Sequence, residues 1–386
     1  MTEDADNGWK LYKVSDFAEV VGGGTPSTND QTNFGEDIPW ITPKDLSTHK
    51  SRYISRGERS LSKKGLAGSS AKRLPAGTVL ISSRAPIGLT AIAQNEVSTN
   101  QGCRSLVLNA DLSDSEFVYY LMTASTDYLH QHANGTTFME LSGSVFKNLE
   151  FMLPPIKDQR RIAEVLGALD DRIESLARSE HLVLEFGLTQ LELALESAEV
   201  RSLRVDEIAT FENRTRIPLS QMERDKRPGP YPYYGATGIF GYVDDYLFDG
   251  FRVLVGEDGS VIEDDGTPVL QLAHGRYWVN NHAHVLAGRA VPTEALWFLL
   301  RNLAVDPAVT GAVQPKLSMG RLAALEVLVP SEASPFFAVA EECIAQVLHR
   351  REQLRDLVEA RDFLLPRLVS GELRVAAMVE LVEAAT

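Results

Sequence analysis

Acid–base or metal chemistry would need grouped histidines, cysteines and carboxylates, and this sequence offers two weak groupings. His282 and His284 alternate along a predicted strand and would face the same side of it, but no acid or thiol follows at a spacing typical of a third metal ligand. Asp170 and Asp171 are neighbours on a predicted helix, where adjacent residues lie on different faces. We interpret these aspartates as solvated charges and predict that the chain binds no metal.

Signatures of catalysis on phosphates, cofactors or adenine are also missing. The phosphate-loop pattern G-x-x-x-x-G-K-[ST] does not occur, and Gly22–Ser27 (GGGTPS) lacks the spacing of a dinucleotide-binding loop. The Asn-Pro-Pro-Tyr-like tetrapeptide of adenine methyltransferases and the Glu-x-Lys pattern of nucleases are absent, and Leu153–Ile156 (LPPI) is typical of the start of a helix. We therefore predict no catalytic residue and no cofactor bound by this chain itself.

The composition is that of a folded protein with two to three domains. The chain has 386 residues, of which 44% are hydrophobic and 24% are charged, so it is too long for one ordinary core. Cys103 and Cys343 form no metal-binding pair, and we interpret them as buried free thiols in a reducing cytoplasm. The acidic start MTEDADNGW has no signal-peptide pattern, and no apolar run approaches the roughly 20 residues of a membrane helix. We expect a cytoplasmic protein with no membrane partner.

Charge is unevenly distributed along the chain. The net charge of −15 and the pI near 5.1 argue against a nucleic-acid partner. However, residues 44–104 contain eleven Lys or Arg against three acids, and residues 214–227 contain five against two. Residues 157–199 hold ten Asp or Glu against five bases. This segregation predicts a phosphate-binding surface at 44–104 and a weaker basic surface in the second half.

The sequence repeats itself at a spacing of 176 residues. Residues 135–154 (GTTFMELSGSVFKNLEFMLP) align without a gap with residues 311–330 (GAVQPKLSMGRLAALEVLVP). Three upstream segments match in the same order: TVLIS with RVLVG, NQGCRSL with NNHAHVL, and FVYYLM with LWFLL. An internal repeat of this kind indicates two diverged copies of one module.

Each copy continues into a long helical pattern with an apolar seam at the 3-4 spacing of a coiled coil. The first seam contains Ile162, Leu166, Leu169, Ile173 and Leu176 and resumes after a register shift at Leu184, Leu188, Leu191 and Leu195. The second contains Ile344, Val347, Leu354, Val358, Leu365 and Leu368, and Arg351 and Arg361 interrupt it. Helices of about 40 residues would be ~60 Å long, and they would bury these seams on each other most simply as an antiparallel pair.

The two modules themselves are predicted to mix strands and helices. Short β-branched runs predict strands at 78–82, 252–256 and 324–329. Helices are predicted at 117–130 and 293–303. Glycine-rich turns are expected at 22–24, 65–68 and 256–259.

These features resemble the specificity subunits of type I restriction–modification systems. The first module contains Pro39–Leu46 (PWITPKDL) and Pro75–Gly88 (PAGTVLISSRAPIG), and it ends on Leu153–Glu174 (LPPIKDQRRIAEVLGALDDRIE). The second contains Tyr231–Gly250 (YPYYGATGIFGYVDDYLFDG), and the last helix ends in Leu364–Val375 (LLPRLVSGELRV). The matching motifs span nearly the whole chain.

The resemblance implies an α+β fold in which two pseudo-symmetric globular target recognition domains are joined by two long antiparallel coiled-coil helices. We expect recognition domains at 1–155 and 201–331, spacer helices at 156–200 and 332–373, and a tail at 374–386. One departure concerns Gln159, which has no counterpart in residues 330–335 (PSEASP). We therefore expect the second helix to join its partner differently.

The resemblance also implies a non-catalytic subunit that recognises double-stranded DNA. Each domain would recognise one half of a bipartite asymmetric site, and the helices would set the gap and bind two methyltransferase subunits. S-adenosylmethionine would belong to those subunits, and ATP and Mg²⁺ to a separate motor-nuclease subunit.

Side chains that donate or accept hydrogen bonds in the loops beside the strands are the candidate DNA contacts. In the first domain they are Thr42, Lys44, Ser82, Ser83, Arg84, Asn100, Gln101, Thr136, Thr137 and Phe138. In the second they are Tyr233, Tyr234, Thr237, Asn280, Asn281, His282, Gln314 and Lys316. The candidate partner-binding residues of the helices are Ile162, Leu166, Leu169, Ile173, Ile344, Val347, Leu354 and Val358.

Two alternatives remain open on the sequence alone. The chain could serve a methylation-only system that lacks the motor-nuclease subunit, which predicts the same behaviour of this chain. It could also be a coiled-coil scaffold without DNA contact, which predicts no salt-dependent DNA binding.

Overall fold

The computed structural model describes residues 8–135, 139–197, 199–311 and 314–374. These residues form two compact units, one within residues 1–175 and 354–386 and the other within residues 176–353. The boundaries fall within the two long helices, so each helix contributes one part to each unit.

The first unit begins with a mixed α/β head. Its strands are β1 (Lys10–Lys13), β2 (Ala18–Gly22), β3 (Phe34–Ile41), β4 (Tyr53–Ile54), β5 (Arg59–Leu61), β6 (Val79–Ser83), β7 (Ile87–Ala93), β8 (Ser98–Thr99), β9 (Cys103–Leu108) and β10 (Glu150–Leu153). The helices are α1 (Val14–Phe17), α2 (Pro43–Thr48), α3 (Lys63–Ala67), α4 (Ser115–Ala124), α5 (Thr126–Gln131), α6 (Gly143–Asn148) and the long α7 (Ile156–Ser197). Three sheets form, with strand orders β2-β9-β6-β7-β4, β5-β3-β8 and β1-β10.

The second unit contains a head of closely similar topology. Its strands are β11 (Val200–Arg204), β12 (Ala209–Phe211), β13 (Tyr231–Tyr234), β14 (Ile239–Val243), β15 (Phe248–Asp249), β16 (Arg252–Gly256), β17 (Leu270–Ala273), β18 (Arg276–Val279), β19 (Ala283–Gly288) and β20 (Glu326–Pro330). The helices are α8 (Val205–Ile208), α9 (Gln221–Asp225), α10 (Thr293–Arg301), α11 (Met319–Ala324) and the long α12 (Phe336–Ser370).

The strand orders confirm the repeat. The sheet β12-β19-β16-β17 repeats the order β2-β9-β6-β7, and the two-stranded β11-β20 repeats β1-β10. In each head a parallel pair, β3 with β8 or β13 with β18, leads into the next strand of the larger sheet. The two modules inferred from the 176-residue spacing are therefore two copies of one fold.

Each head has its own apolar core, to which both long helices contribute. In the first, α4 packs with β6 and β7, and Ile162 and Leu166 of α7 and Leu368 of α12 join the same cluster. In the second, the fully buried Phe298 of α10 packs in one cluster with Leu191 of α7 and with α12 residues. Side chains of α7 and α12 are therefore part of the folding core of both heads.

The two long helices run antiparallel, as the seams predicted. In the first unit Asp170 of α7 contacts Arg361 of α12 at 3.3 Å, and in the second unit Glu180 contacts Arg351 at 2.8 Å. Within the first unit Ile162, earlier in α7 than Asp170, shares an apolar cluster with Leu368, later in α12 than Arg361. The two arginines that interrupt the second apolar seam are explained by these carboxylate partners.

Local structure differs from the expected elements in several places. The strand expected at 324–329 begins at Glu326, because Ala324 ends α11. The helix expected at 117–130 is divided, because Ser125 ends α4 and precedes α5. The turn expected at 65–68 lies largely in α3, which Ser62 caps by accepting a hydrogen bond from the backbone N–H of Gly65. A Cβ at Gly65 would lie 1.9 Å from the carbonyl oxygen of Asn33, so this glycine allows close packing of the helix.

The start of each long helix is attached to its head in a different way. Gln159 is fully buried; its side chain accepts a hydrogen bond from the backbone N–H of Asp114 at 3.0 Å and donates to the carbonyl oxygens of Leu112 and Pro154, both at 2.9 Å. At the equivalent place in the second copy stands Pro335, and the next residue, Phe336, is 2% exposed. A polar attachment in one head is thus replaced by an apolar one in the other.

A buried polar network joins the first head to the helices. The guanidinium of Arg52, 8% exposed, donates to the hydroxyl of Tyr120 and to the carboxylate of Asp171, both at 2.8 Å. The hydroxyl of Tyr120 donates to Asp170 at 2.7 Å, and Asp170 also faces Arg361. Burial raises the pKa of Tyr120 far above its usual range, so this hydroxyl stays protonated. The interpretation of Asp170 as a solvated charge was therefore wrong, whereas the Asp171 side chain is 70% exposed.

Candidate functional site

Three loops meet at one end of the first head. They are the turn after β6 (residues 84–86), the turn between β8 and β9 (residues 100–102) and the loop before α6 (residues 134–140), of which 136–138 lie outside the described residues. The backbone of Ser83 links them, because its N–H donates to the carbonyl of Gly102 at 2.8 Å and its carbonyl accepts from the N–H of Leu141 at 3.0 Å. We call these three segments the first tip.

The second head has the same arrangement. Its three loops are residues 257–259, 280–282 and 310–316, which we call the second tip; residues 312 and 313 are not described. Here Glu257 occupies the place of Ser83, because its N–H donates to the carbonyl of His282 at 2.8 Å and its carbonyl accepts from the N–H of Leu317 at 2.9 Å. Residues 84 and 258 are therefore equivalent positions of the two heads.

An asparagine shapes the same turn in both tips. The side-chain oxygen of Asn100 accepts from the N–H of Gly102 at 2.9 Å, and that of Asn280 accepts from the N–H of His282 at 2.7 Å. Such Asx turns hold the backbone in place. Both asparagines were expected to contact DNA, but their amide oxygens are occupied within the turn, and Asn280 is only 4% exposed.

Several of the residues expected to contact DNA in the first head are scaffold residues. Ser82 and Ser83 are fully buried, and their hydroxyls donate to the carbonyls of Pro86 at 2.6 Å and Gly102 at 3.1 Å. Thr42 caps α2 and bonds to Asp45. These hydroxyls all have protein partners: those of Ser82 and Ser83 lie buried beneath the first tip, and that of Thr42 caps a helix.

The remaining expected contacts of the first head are accessible or undescribed. Lys44 is exposed and pairs with Glu58 at 2.7 Å, outside the first tip. The Arg84 side chain is 39% exposed, and Gln101 is exposed and bonds to Thr25. The expected contacts Thr136, Thr137 and Phe138 lie outside the described residues.

In the second head the accessible candidates are concentrated in the second tip. Asn281, His282, Gln314 and Lys316 are exposed there, and Thr237 is exposed in the turn after β13. Tyr234 is half-buried. Tyr233, in contrast, is 1% exposed, and its hydroxyl bonds to both the N–H and the carbonyl of Leu219. Tyr233 is therefore a core residue.

Charged residues that the sequence did not single out complete both tips. In the first tip, Glu140 contacts Arg104 at 3.0 Å and Arg84 at 3.8 Å. In the second, Asp258 contacts Lys316 at 2.9 Å. Glu140 could have been found from the gap-free alignment of 135–154 with 311–330, since that alignment places it opposite Lys316, a candidate DNA contact.

The two histidines proposed as a weak metal pair do not share a surface. His282 lies before β19, so strand alternation does not apply to it, and its side chain is 48% exposed. His284 is fully buried; its ring nitrogens contact the carbonyl of Leu317 at 2.8 Å and the amide of Asn213 at 3.0 Å. Within the described part of the chain, no group of three or more His, Cys, Asp or Glu side chains could hold a metal ion.

Burial lowers the pKa of His284 below its ordinary value. The folded chain keeps this ring neutral, whereas the unfolded chain takes up a proton below about pH 6.5. We therefore expect the free energy of unfolding of the second head to fall as the pH falls below that value. Urea unfolding of the full chain between pH 8 and pH 5 should show a weaker pH dependence for His284→Gln than for the wild type. The exposed His274, changed to Gln, is the control, and parallel pH profiles for His284→Gln and the wild type would contradict the expectation.

A glycine beside the first tip allows two segments to approach closely. A Cβ at Gly23 would lie 2.0 Å from the carbonyl oxygen of Asn100, whereas one at Gly22 would have no atom within 4 Å. Gly23→Ala is expected to destabilise the first head by about 1–3 kcal/mol because the clash is with backbone, and to weaken recognition by the first tip. Gly22→Ala is the matched control. Equal unfolding midpoints in urea for the two variants would show that the backbone accommodates the methyl group without cost.

Many cations of the basic segment 44–104 are neutralised by carboxylates nearby. Four of its cations pair with carboxylates: Lys44 with Glu58, Arg56 with Glu36, Lys64 with Asp30, and Arg73 with Glu96. Arg52 is buried, as described above. Lys50, Lys63 and Lys72 are exposed and form no ion pair with any described residue. Arg59 is exposed as well, with its guanidinium 3.5 Å from the ring centroid of Phe34. The phosphate-binding surface expected here is thus reduced, outside the first tip, to three scattered lysines and one arginine.

The helices present a different surface from the one the seams predicted. Ile162, Leu166, Ile344 and Val347 are at most 3% exposed and belong to the cores of the heads. They therefore cannot contact a partner protein in this fold. The other four candidates, Leu169, Ile173, Leu354 and Val358, are half-buried.

An apolar groove lies between α7 and α12 within the second unit. It has a volume of about 520 Å³ and is lined by residues that include Leu182, Val183 and Phe186 of α7 and Val339 and Cys343 of α12. Leu182 is 56% exposed and Phe186 is 54% exposed. Large apolar side chains that remain exposed beside a groove mark a surface suited to a partner protein.

Among the helices that the structure describes, no segment has the length and hydrophobicity that spanning a membrane requires.

Comparison with known proteins identifies the family. The family model described as Type I restriction modification DNA specificity domain matches residues 6–183 and 198–359. The specificity subunit of the type I restriction enzyme MjaIX from Methanocaldococcus jannaschii is 30% identical over 410 residues, which cover 95% of this chain and 94% of that protein. The EcoprrI specificity subunit from Escherichia coli is 24% identical over 345 residues, which cover 82% of each chain.

A solved structure has the same fold. The S subunit of a type I restriction–modification system from M. genitalium aligns with a TM-score of 0.61 at 16% identity, over 96% of this chain and 98% of that one. Because the family model matches both halves of the repeat and so covers most of the residues, the chain belongs to the DNA specificity subunits of type I restriction–modification systems, which recognise DNA sequence and are not themselves enzymes.

Proposed function

We propose that this chain recognises a bipartite asymmetric DNA site, with one tip on each half. The observation that carries the proposal is the duplication of one three-loop tip with different side chains at equivalent positions, Arg84 in the first and Asp258 in the second. Two copies of one fold would approach two half-sites in the same way. Different side chains at the tips would then select different bases, which makes the site asymmetric.

The accessible polar side chains of the tips would make the contacts with bases. Arg84 and Gln101 in the first tip and Asn281 and Lys316 in the second are all exposed at least in part. Guanidinium and amide groups form pairs of hydrogen bonds with guanine and adenine edges, respectively, in the major groove. The exposed Lys50, Lys63 and Lys72 would supply phosphate contacts, which add affinity but no sequence preference.

The long helices would set the separation of the half-sites and bind two methyltransferase subunits. For the groove between α7 and α12 in the second unit we commit to one occupant, an amphipathic helix of a methyltransferase subunit. Such helices bind through apolar residues at i, i+3, i+4 and i+7, and Leu182 and Phe186 supply an apolar strip four residues apart on the groove wall. The acidic surface of α7, which would repel DNA, is then covered by protein.

In this proposal the cofactors belong to the partners. S-adenosylmethionine and the transfer of its methyl group to adenine would be supplied by the methyltransferase subunits. ATP and Mg²⁺ would be used by a motor-nuclease subunit where one is present. This chain contributes position and sequence selectivity.

The decisive experiment is methylation mapping. The chain is co-expressed with the methyltransferase encoded beside it, and modified adenines are mapped across the host DNA by long-read sequencing. We expect methylation at one split asymmetric motif, lost when this chain is omitted, and we expect exchange of residues 1–150 for those of a relative to change one half only. Methylation that is absent, or unchanged without this chain, would instead favour a coiled-coil scaffold without DNA contact.

Docking of the partner has a separate test. Phe186→Glu should reduce recovery of the methyltransferase subunit with the chain by at least about tenfold, because it places a charge in an apolar contact. Met222→Glu, which changes a side chain 69% exposed on the second head outside the groove, is the control. Equal recovery with both variants would exclude this groove as the docking site.

A further inference from the structure

One carboxylate lies at the centre of each tip and holds two nitrogen-bearing side chains. In the first tip Glu140 accepts a hydrogen bond from Arg104 at 3.0 Å and lies 3.8 Å from Arg84. In the second tip Asp258 lies 2.9 Å from the ammonium of Lys316 and 3.4 Å from the ring of His282. One acid and two nitrogen-bearing side chains thus form a clamp at each tip, and Arg104 reaches the first one from β9.

The two clamps occupy the same place in the fold, but the acid of the first lies on the loop before α6, whereas the acid of the second follows the end of β16. Residue 84 and residue 258 follow equivalent strand ends, as the backbone hydrogen bonds of Ser83 and Glu257 show. Glu140 and Lys316 are equivalent on the facing loop, since each exchanges two backbone hydrogen bonds with a residue six positions earlier, Asn134 or Thr310. An ion pair is therefore retained across the repeat while its charges are exchanged.

Stability alone gives little reason for such a pair to be retained. The Arg84 and Glu140 side chains are each 39% exposed and the Lys316 side chain is 48% exposed, and an ion pair this exposed contributes at most about 1 kcal/mol. Asp258, at 19%, is more enclosed. Burial acts to raise the pKa of Asp258, but the hydrogen bonds of Lys316 and His282 outweigh it and hold the pKa below its usual value. The contacts themselves place each acid where it can orient its basic neighbours.

We propose that these clamps decide which base edges each half of the site accepts, with Glu140 acting as the positioning residue for Arg84 in the first tip and Asp258 for Lys316 and His282 in the second. The proposal rests on the proposed function, because it assumes that the tips face DNA. It adds the residues that determine specificity and the base chemistry they select.

The two clamps offer different donors. The guanidinium group of Arg84 only donates hydrogen bonds, and the planar fork of an oriented arginine matches O6 and N7 of guanine. Arg104 is 16% exposed and also donates to the carbonyls of Gln101 and Cys103, so it helps to fix Glu140 beneath Arg84. An arginine released from its carboxylate would turn equally well to a phosphate and lose selectivity. In the second clamp the ammonium of Lys316 lies 3.7 Å from Glu257 as well as 2.9 Å from Asp258, and the imidazole of His282 lies beside Asp258. An ammonium makes a point-like contact and lacks the paired hydrogen bonds of an arginine fork, so the second half-site is expected to be read differently from the first.

The test uses the complex of the full chain with its methyltransferase and measures methylation of the cognate motif and of every single-base variant of it. Glu140→Gln should raise methylation at variants of the first half-site by roughly tenfold relative to the cognate site, with no change at the second. Asp258→Asn should do the reverse. Glu140→Asp, which retains the charge, should restore selectivity in the first half-site.

Matched controls remove acids of comparable ion pairs outside the tips. They are Glu96→Gln, which removes the carboxylate partner of Arg73 in the first head, and Asp244→Asn, which removes the nearer of the two carboxylate partners of Arg227 in the second. Both should leave the selectivity of both half-sites unchanged. A loss of stability alone would lower methylation at all sites together, so a change confined to one half-site distinguishes positioning from folding.

The outcomes separate this proposal from the one on which it rests. A wild-type complex that methylates one split motif, together with Glu140→Gln and Asp258→Asn complexes of unchanged selectivity, would overturn the clamps and leave the recognition role intact. A wild-type complex with no split motif would overturn both.

Discussion

Replacing Asp170 by alanine is expected to lower the free energy of unfolding of the first head by about 3 kcal/mol, because it leaves buried charged and polar partners uncompensated. Asp170 is 18% exposed, accepts a hydrogen bond from the hydroxyl of Tyr120 at 2.7 Å and faces Arg361 at 3.3 Å. The Arg52 guanidinium, 8% exposed, bonds to the same tyrosine. One substitution therefore disturbs the head and both long helices together.

The adjacent aspartate is the matched control. Asp171 is 70% exposed and bonds to Arg52 at 2.8 Å, so Asp171→Ala should cost less than about 1 kcal/mol. Urea unfolding of the full chain, with hydrogen exchange to locate the loss of protection, distinguishes the two variants. We expect protection to fall in α4 and in residues 354–370 for Asp170→Ala. Equal midpoints for the two variants would mean that the network contributes no more than surface ion pairs do.

Replacing Phe298 by alanine is expected to destabilise the second head by about 3–5 kcal/mol. Phe298 is fully buried, its ring centroid lies 6.2 Å from that of Phe336 at the start of α12, and a Cβ built on Gly187 of α7 would lie 2.2 Å from the ring. The ring thus fills the space between α10 and both long helices. Removing it would leave a cavity that three helices would have to close together.

A neighbouring phenylalanine supplies the contrast. Phe186 is 54% exposed, so Phe186→Ala should change the free energy of unfolding by no more than about 0.5 kcal/mol. Thermal unfolding of the free chain measures both effects, and they should differ by several degrees. Gly187→Ala provides an independent test, since the added methyl group meets the ring of Phe298 and should cost about 1–3 kcal/mol by overpacking. An unchanged unfolding temperature for Phe298→Ala would contradict the role of the ring as the centre of this core.

The sequence by itself was sufficient for the architecture. The gap-free match of 135–154 with 311–330 indicated two copies of one module, and the seams from Ile162 and from Ile344 indicated two long helices. Both inferences rest on periodicity, which is a local property of the chain that survives divergence. The confirmed family followed from motifs spread over both copies.

The tertiary structure decided which of the candidate residues are accessible to DNA or to a partner protein. Ser82 and Ser83 suit DNA contact by residue type, yet both are buried, and Asp170, which looked solvated, is enclosed by Arg52 and Tyr120. Ile162, a seam residue, lies within a head rather than on a partner surface. Burial depends on which distant segments pack over a residue, and no local pattern contains that information.

The same reason explains why the sequence did not reveal the clamps. Glu140 and Arg84 are 56 positions apart in the chain, and Lys316 and Asp258 are 58 apart. Only the folding of each loop onto the end of β6 or β16 brings them together. The repeat determined that two tips exist, and the long-range contacts of each head determined which charges meet there, because ion pairing depends on distances that the fold alone sets.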